Sequence, residues 1–326
     1  MFFTICLPFS SISQNPEKDK KYQYARNLLE EGIRDKDSIK IAEAYYLQGK
    51  IEFRSGNNPT KAYELYYKSL KISEQSRNHY QTAKTYLRLA ELELLLKNTE
   101  AARTFLKEAR SVLENNKMER EGDEASLLLV ELYRLTGHTF ITPSQTLPRN
   151  KLQYDSALHY FRKMEQVAAL IKTENALMGA KFELGHVYAS KNDKRAIHYL
   201  EEAVKMKSEF EPDSPLINYR TNLSNAYFRF NNIPKAKEVL EGSQKIIDAG
   251  KYNISQQALS LHYKNYARYY KATGDYKNAL HYTEQAQKYI QIMGESDRDG
   301  NMTQWRARLE TEKKTWSSGY QKQEIE

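Results

Sequence analysis

The chain has 326 residues, with 50 Lys+Arg against 42 Asp+Glu and a net charge of +8. Thirteen Gly and eight Pro are few for that length, which excludes collagen-like chains and turn-dense all-β folds, while 25 Tyr and 11 Phe exclude an aromatic-poor disordered chain. One Cys excludes a disulfide framework or a Cys-rich zinc module. Length alone allows about two domains at roughly 150 residues each. Hydrophobic residues at 40% and charged residues at 28% instead point to a helical protein with thin cores.

Met1 to Ser13 reads MFFTICLPFSSIS. The apolar stretch from Phe2 to Phe9 has the length of a short signal-peptide core, and Ser11 and Ser13 are small residues two apart, as signal peptidase requires. Cleavage there leaves Gln14 as the N-terminus. No Lys or Arg precedes the run, which fits Met1 as an internal methionine of a longer leader. Residues 1–13 are therefore predicted as the C-terminal part of a signal peptide, and the chain as periplasmic or otherwise exported. The alternatives are an apolar N-terminal segment and a cytoplasmic chain. Cys6 follows Phe3-Thr4-Ile5, a poor lipoprotein box. Beyond residue 9 no apolar run approaches the roughly 20 residues that span a bilayer.

Residues 14–37 are expected to form an N-terminal helix or half-repeat, because Ala25, Leu29 and Gly32 open a spacing that recurs along the chain. An alanine is followed seven residues later by a small residue at Ala62/Ser69, Ala102/Ala109, Ala196/Ala203, Ala236/Ser243 and Ala279/Ala286. Four after the anchor stands a bulky residue, as in Tyr66, Leu106, Leu200 and Leu240. Ala157 with Phe161 is a weaker copy. Anchors lie 40 apart from Ala62 to Ala102 and from Ala196 to Ala236, but 55 apart from Ala102 to Ala157. A second motif precedes several anchors: Tyr86, Leu89 and Ala90; Leu184, Gly185 and Tyr188; Leu223, Ser224 and Tyr227; Tyr263, Tyr266 and Tyr270. Apolar residues three and four apart share one helix face, so each unit reads as two amphipathic helices. Between them sit Gly56-Asn57-Asn58-Pro59, Asn231-Asn232-Ile233-Pro234 and Gly274-Asp275-Tyr276, where Gly and Asn tolerate the left-handed backbone that ends a helix.

This pattern resembles the tetratricopeptide repeat family over about residues 38–294, and Gly274-Asp275-Tyr276 with Ala279 is close to the family motif. The resemblance implies an all-α fold: a tetratricopeptide-type α-solenoid of about six helix–turn–helix repeats. It implies one elongated domain without a sheet. The first helix of each pair would line the inner surface, where ligands of the family lie.

No catalytic constellation is present: GxSxG, HExxH and GxxxxGK[ST] are all missing. The histidines at 79, 138, 159, 186, 198, 262 and 281 are scattered, and His186 and His198 do not have zinc-ligand spacing. They read as surface or half-buried helix residues. No catalytic residue, metal ligand or cofactor is expected, and the chain reads as a non-enzyme.

The inner positions carry the functional expectation. Near the N-terminus they are mixed: Glu43, Tyr46 and Lys50, then Lys84, Leu87, Arg88 and Glu91. In the repeat anchored at Ala236 they are Asn218, Thr221, Asn222, Asn225 and Arg229, and in the next Lys264, Asn265, Arg268 and Lys271. Asn can pair with the backbone of an extended peptide as donor and acceptor. Arg and Lys take carboxylates or phosphates. These nine residues form the candidate groove for an acidic or C-terminal segment of a protein or peptide partner. The alternative is an ordinary solvated helix face. Nucleic acid is not expected, despite a pI near 9.1, because the Tyr residues mostly hold core positions and Lys and Arg alternate with Glu.

Gly137 to Gln153 is the longest stretch without helical periodicity, with Pro143 and Pro148 discouraging a helix. It is either a partner-contacting loop or a tolerated insertion. Past about Gly294 the repeat pattern stops. Residues 295–326 read as a capping or linker helix, with Met302, Trp305 and Leu309 on one stripe. The charged run Leu309 to Lys314, with Gln321 to Glu326, also resembles the helix after the repeats in Bacteroidetes-type membrane signalling proteins. There a periplasmic array leads to a membrane span and a histidine kinase or DNA-binding output domain. Gly319 departs from that helix.

The leading expectation is thus an exported protein- or peptide-binding scaffold, in keeping with the sensory part of a signalling protein. Such a sensor would work through ligand preference for one solenoid curvature. The alternatives are a cytoplasmic peptide-responsive regulator, similar to those of Gram-positive quorum sensing, and a substrate-recruiting accessory of a separate enzyme domain.

Overall fold

The computed structural model describes residues 16–54, 59–115, 123–142, 151–209, 214–252 and 254–300. Among these residues there are thirteen helices and no strand. Helix α1 (Pro16–Asp35) precedes six hairpins: α2 (Ser38–Arg54) with α3 (Pro59–Gln75), α4 (His79–Leu95) with α5 (Thr99–Asn115), α6 (Asp123–Ile141) with α7 (Lys151–Leu170), α8 (Glu174–Ser190) with α9 (Arg195–Glu209), α10 (Ser214–Arg229) with α11 (Ile233–Asp248), and α12 (Gln256–Ala272) with α13 (Tyr276–Gly300). The all-α tetratricopeptide-type solenoid expected from the spacing is the fold observed.

The recurring alanines explain the packing. Ala62, Ala102, Ala157, Ala196 and Ala236 are fully buried, and so are Tyr66, Phe161, Leu200 and Leu240 four residues on. A methyl group lets the facing helix approach, and the bulky residue one turn later fills the gap beside it. Gly185 shows how close that approach is: a Cβ there would lie 2.6 Å from Cγ of Leu200 and 3.2 Å from its backbone nitrogen. Each fully buried Leu or Phe contributes about 1.5–3 kcal/mol over its exposed state.

Seven helices stop by one device. Lys36, Arg77, Lys97, Lys172, Asn192, Asn231 and Gly274 take left-handed φ between 50° and 81°. Each helix end then closes with two crossed bonds, as where Lys97 N donates to Leu94 O at 3.0 Å and Asn98 N to Glu93 O at 2.8 Å. At most of these turns the side chain of the next residue caps the following helix, Thr173 being an exception. Asn78 accepts from Gln81 N at 3.1 Å, Asn232 from Lys235 N at 3.3 Å and Asp275 from Asn278 N at 3.1 Å. Gly and Asn were the expected left-handed residues; Lys or Arg holds that place at four of these turns.

The backbones of adjacent first helices come together along the array, α2–α4, α4–α6, α6–α8, α8–α10 and α10–α12, whereas among the described residues those of second helices stay apart and meet only through long side chains, as where Tyr63 and Tyr67 of α3 reach Phe105 of α5. The side of closer spacing is the concave one, so the first helices line it. Helix α1 packs on α2 with Ala25 fully buried, as a second helix without its first.

The aperiodic stretch at 137–153 is shorter than its sequence suggests. Helix α6 continues through Ile141 and α7 begins at Lys151, leaving 143–150 outside the described residues. Gly137 lies inside α6 against the ring of buried Phe161, where a side chain would clash. Near the other end, α13 passes residue 294 unbroken to Gly300. The expected leader at 1–13 and residues 301–326, with their expected cap, lie outside the described residues. No helix among the described residues is long and apolar enough to cross a membrane.

Candidate functional site

The concave face divides into two electrostatic halves. From α2 to α8 its charges are paired across the repeats. Lys84 on α4 reaches the Glu43 carboxylate of α2 at 3.1 Å and lies 4.3 Å from the centroid of the Tyr46 ring. Arg88 and Glu91 of α4 interlock with Glu131 and Arg134 of α6. Arg88 bonds Glu131 at 2.6 Å and pairs with Glu91; Arg134 bonds Glu131 at 2.7 Å and Glu91 at 3.2 Å. Burial raises the Glu131 carboxyl, but Arg134 and Arg88 outweigh it and hold its pKa at about 2. His138 of α6 then meets Glu183 of α8 at 2.9 Å. Burial likewise raises Glu183, and the charge and hydrogen bond of His138 bring it down overall.

From α10 to α12 the pairing stops. Neither helix contains an Asp or Glu, while α10 carries Arg220 and Arg229 and α12 carries Lys264, Arg268 and Lys271. None of these five cations has a carboxylate within ion-pair distance among the described residues. The Arg220 guanidinium packs against Gly242 of α11 and is lowered by burial, so it does not belong to the groove, whereas burial together with the nearby Arg229 charge lowers Arg268. Arg268 lies 5.0 Å from the centroid of the Phe228 ring, which fixes it against α10. Asn218 is exposed and Asn222 and Asn225 are half-buried alongside. Asn222 donates its Nδ2 to the Asn218 carbonyl at 2.9 Å, which leaves its Oδ1 as an acceptor. The half-site thus offers several positive donors and amides, and no negative charge of its own.

Of the nine candidate groove residues, Asn218, Asn222, Asn225, Arg229, Lys264, Arg268 and Lys271 are exposed or half-buried on these two helices. Thr221 and Asn265 are not available to a ligand and are corrected here to interior residues, 0% and 3% exposed. Thr221 donates to the Ile217 carbonyl at 2.6 Å, and Asn265 donates to Thr221 O at 3.1 Å and Ser224 Oγ at 2.7 Å. They tie α10 to α12 from within. Tyr46 and Leu87 of the N-terminal inner set are likewise buried.

One histidine also departs from expectation. His262 is 0% exposed, with Nε2 3.0 Å from Gln244 Oε1 and Nδ1 without a partner. Burial pushes its pKa down to about 4, against the opposing charge of Asp248. Among the described residues no three His, Cys, Asp or Glu side chains gather as a metal site would require.

Six hairpins with close-packed small residues and a concave face of first helices define a tetratricopeptide-type solenoid. Residues 40–115 match the tetratricopeptide repeat family model. Among solved structures the chain is similar to RapI in its apo form, at 14% identity over 78% of this chain and 99% of that one, with a TM-score of 0.53. It is similar to a Rap protein complexed with Competence and Sporulation Factor, at 15% identity over 88% and 89%, TM-score 0.52. It is similar also to pilF of Pseudomonas aeruginosa, at 13% identity over 79% and 99%, TM-score 0.51. At these identities the likeness is one of fold. No curated protein matches the sequence.

Proposed function

We propose that this chain is a non-catalytic scaffold that holds an acidic or C-terminal segment of a peptide or protein on the concave face of α10 and α12. The observation that carries the reading is charge: two adjacent inner helices present four exposed cations, Arg229, Lys264, Arg268 and Lys271, and no acid. An incoming carboxylate would find Arg268, Arg229 and Lys264 without a competing internal partner, and a charged hydrogen bond is stronger than a neutral one. Asn218, Asn222 and Asn225 would read the ligand backbone. The amphipathic hairpins supply a rigid frame for such a groove.

The test is fluorescence anisotropy with a labelled hexapeptide ending in two acidic residues and a free carboxylate, on the mature chain 14–326. Binding should weaken at least tenfold in the Lys264→Glu/Arg268→Glu variant and with rising salt. Equal affinity for the double reversal would remove the patch as the site. Export is part of the proposal and rests on the leader pattern of Met1–Ser13. A fusion of residues 1–40 to a reporter active only outside the cytoplasm checks it, and an inactive, correctly expressed fusion refutes it.

A second reading is a peptide-responsive regulator in the cytoplasm. The likeness to a Rap protein complexed with Competence and Sporulation Factor favours it. Under that reading the same groove binds peptide, and the reporter fusion separates the two.

A further inference from the structure

On the opposite side of the solenoid the backbones of α5 and α7 stay apart, and α6 reaches out between them with its last turn. A cleft of about 240 Å³ remains there. Its floor is Leu106, buried on α5. One wall is a ring pair: Phe140 of α6 and Tyr160 of α7 stack with centroids 5.8 Å apart and planes at 14°. The other wall is basic. Arg103, Lys107 and Arg110 follow one another on a single face of α5, three and four residues apart. No acidic side chain lines the cleft among its described residues.

The cations differ in what they are free to do. Arg103 is held by Glu100 at 2.8 Å and donates to the Thr139 carbonyl at 3.3 Å, with its guanidinium 5.4 Å from the Phe140 ring centroid. It builds the wall. Lys107 is exposed and has no carboxylate within ion-pair distance among the described residues, and the same holds for Arg110, whose guanidinium lies 5.8 Å from the Tyr160 centroid. Lys163 adds a further positive charge 6.0 Å from that ring. A cleft that pairs an aromatic wall with unneutralised donors favours a ligand of two parts. A cavity of about 150 Å³ accommodates one benzene ring, so this one has room for a ring and a small charged group.

We propose that this cleft is a second binding site, for a phosphate or carboxylate carried on an aromatic stem. The oxyanion would sit between Lys107 and Arg110, and the stem against Phe140, Tyr160 and Leu106. Arg can grip either oxyanion with two parallel N–H donors, and the ring wall would separate such a ligand from a bare inorganic anion. The site lies on different helices from the concave patch and does not rest on that reading.

Isothermal titration of the full chain with phenyl phosphate, and separately with inorganic phosphate, tests the proposal. The expected result is saturable one-to-one binding of phenyl phosphate, at least tenfold tighter than inorganic phosphate. Lys107→Gln/Arg110→Gln should weaken it at least tenfold, with Lys107→Gln alone, at an exposed position, as the variant least able to disturb folding. Phe140→Leu should bring phenyl phosphate down toward inorganic phosphate. Lys264→Glu/Arg268→Glu should leave it unchanged. Absence of saturable binding, equal binding of both anions, or loss in the Lys264/Arg268 variant instead of the Lys107 variants would each overturn the proposal. Benzoate in place of phenyl phosphate distinguishes the carboxylate source from the phosphate one.

Discussion

Acidification should loosen the C-terminal repeats through one side chain. His262 is fully buried and its pKa is lowered from 6.5 to about 4. A base with a depressed folded pKa binds fewer protons folded than unfolded between those two values, so stability rises with pH across the window and falls as pH drops from about 6.5 toward 4. The full shift corresponds to about 3 kcal/mol, and at pH 5 about 2 kcal/mol of it is already lost. The assay is urea unfolding of wild type and His262→Gln at pH 7.5 and pH 5.0, followed by circular dichroism. Gln keeps a polar group for Gln244 and cannot titrate. Wild type should lose about 2 kcal/mol more than the variant over that interval. Because a repeat array can unfold in parts, amide protection in α11–α13 should be read at the same two pH values. Identical pH dependence in both proteins would refute the burial argument.

Further outcomes follow from other side chains. Asn265→Ala removes two interior hydrogen bonds and should cost about 1–3 kcal/mol. The affinity of the folded variant for the acidic hexapeptide should stay within about twofold, and a larger loss would place Asn265 in the groove. Gly185→Ala gains up to about 1 kcal/mol of helix propensity but forces a methyl to 2.6 Å from Leu200 Cγ. Overpacking of about 1–3 kcal/mol should prevail, lowering the melting temperature. Lys97→Gly relieves a left-handed residue at φ 59°. It should stabilise by up to about 1 kcal/mol, measured as a raised urea midpoint, whereas Lys97→Val should lower it.

The architecture was legible because close helix approach leaves a chemical trace. Only small residues fit at Ala62, Ala102, Ala196 and Ala236, and the interval between them is the repeat itself. The turns were half legible. Gly274 and Asn231 announce a left-handed residue, but Lys36, Arg77, Lys97 and Lys172 do not, since nothing in a basic side chain asks for that backbone. Their signal was the residue behind them: Asp37, Asn78, Asn98 and Thr173 stand where a helix cap belongs. Arg229, Lys264 and Arg268 stand at exposed positions of α10 and α12. Thr221 and Asn265 were assigned outward because they are polar. Ile217, Thr221 and Ser224, and Ala258, His262 and Asn265, fall three and four apart on core stripes, and that spacing outranks polarity. The interlocked charges on α4 and α6 were the hardest to see. Arg88 and Glu131 are 43 residues apart, so their pairing emerges only once one repeat is laid upon the next.

Considered as an elastic body, the solenoid is expected to be stiffer where its first helices are charge-paired. Charge pairs staple each first helix to the next from α2 to α8, and spreading the array there means separating opposite charges in partly dry surroundings. Beyond α8 no such charge staple joins first helices among the described residues, and α10 and α12 have no acid with which to make one between themselves. Mechanical strain applied across the ends would therefore concentrate in the last repeats. An anion seated among Arg229, Lys264 and Arg268 would supply the missing counter-charge and act as the absent staple. Occupancy of the groove would then be felt along the molecule as a change in rigidity.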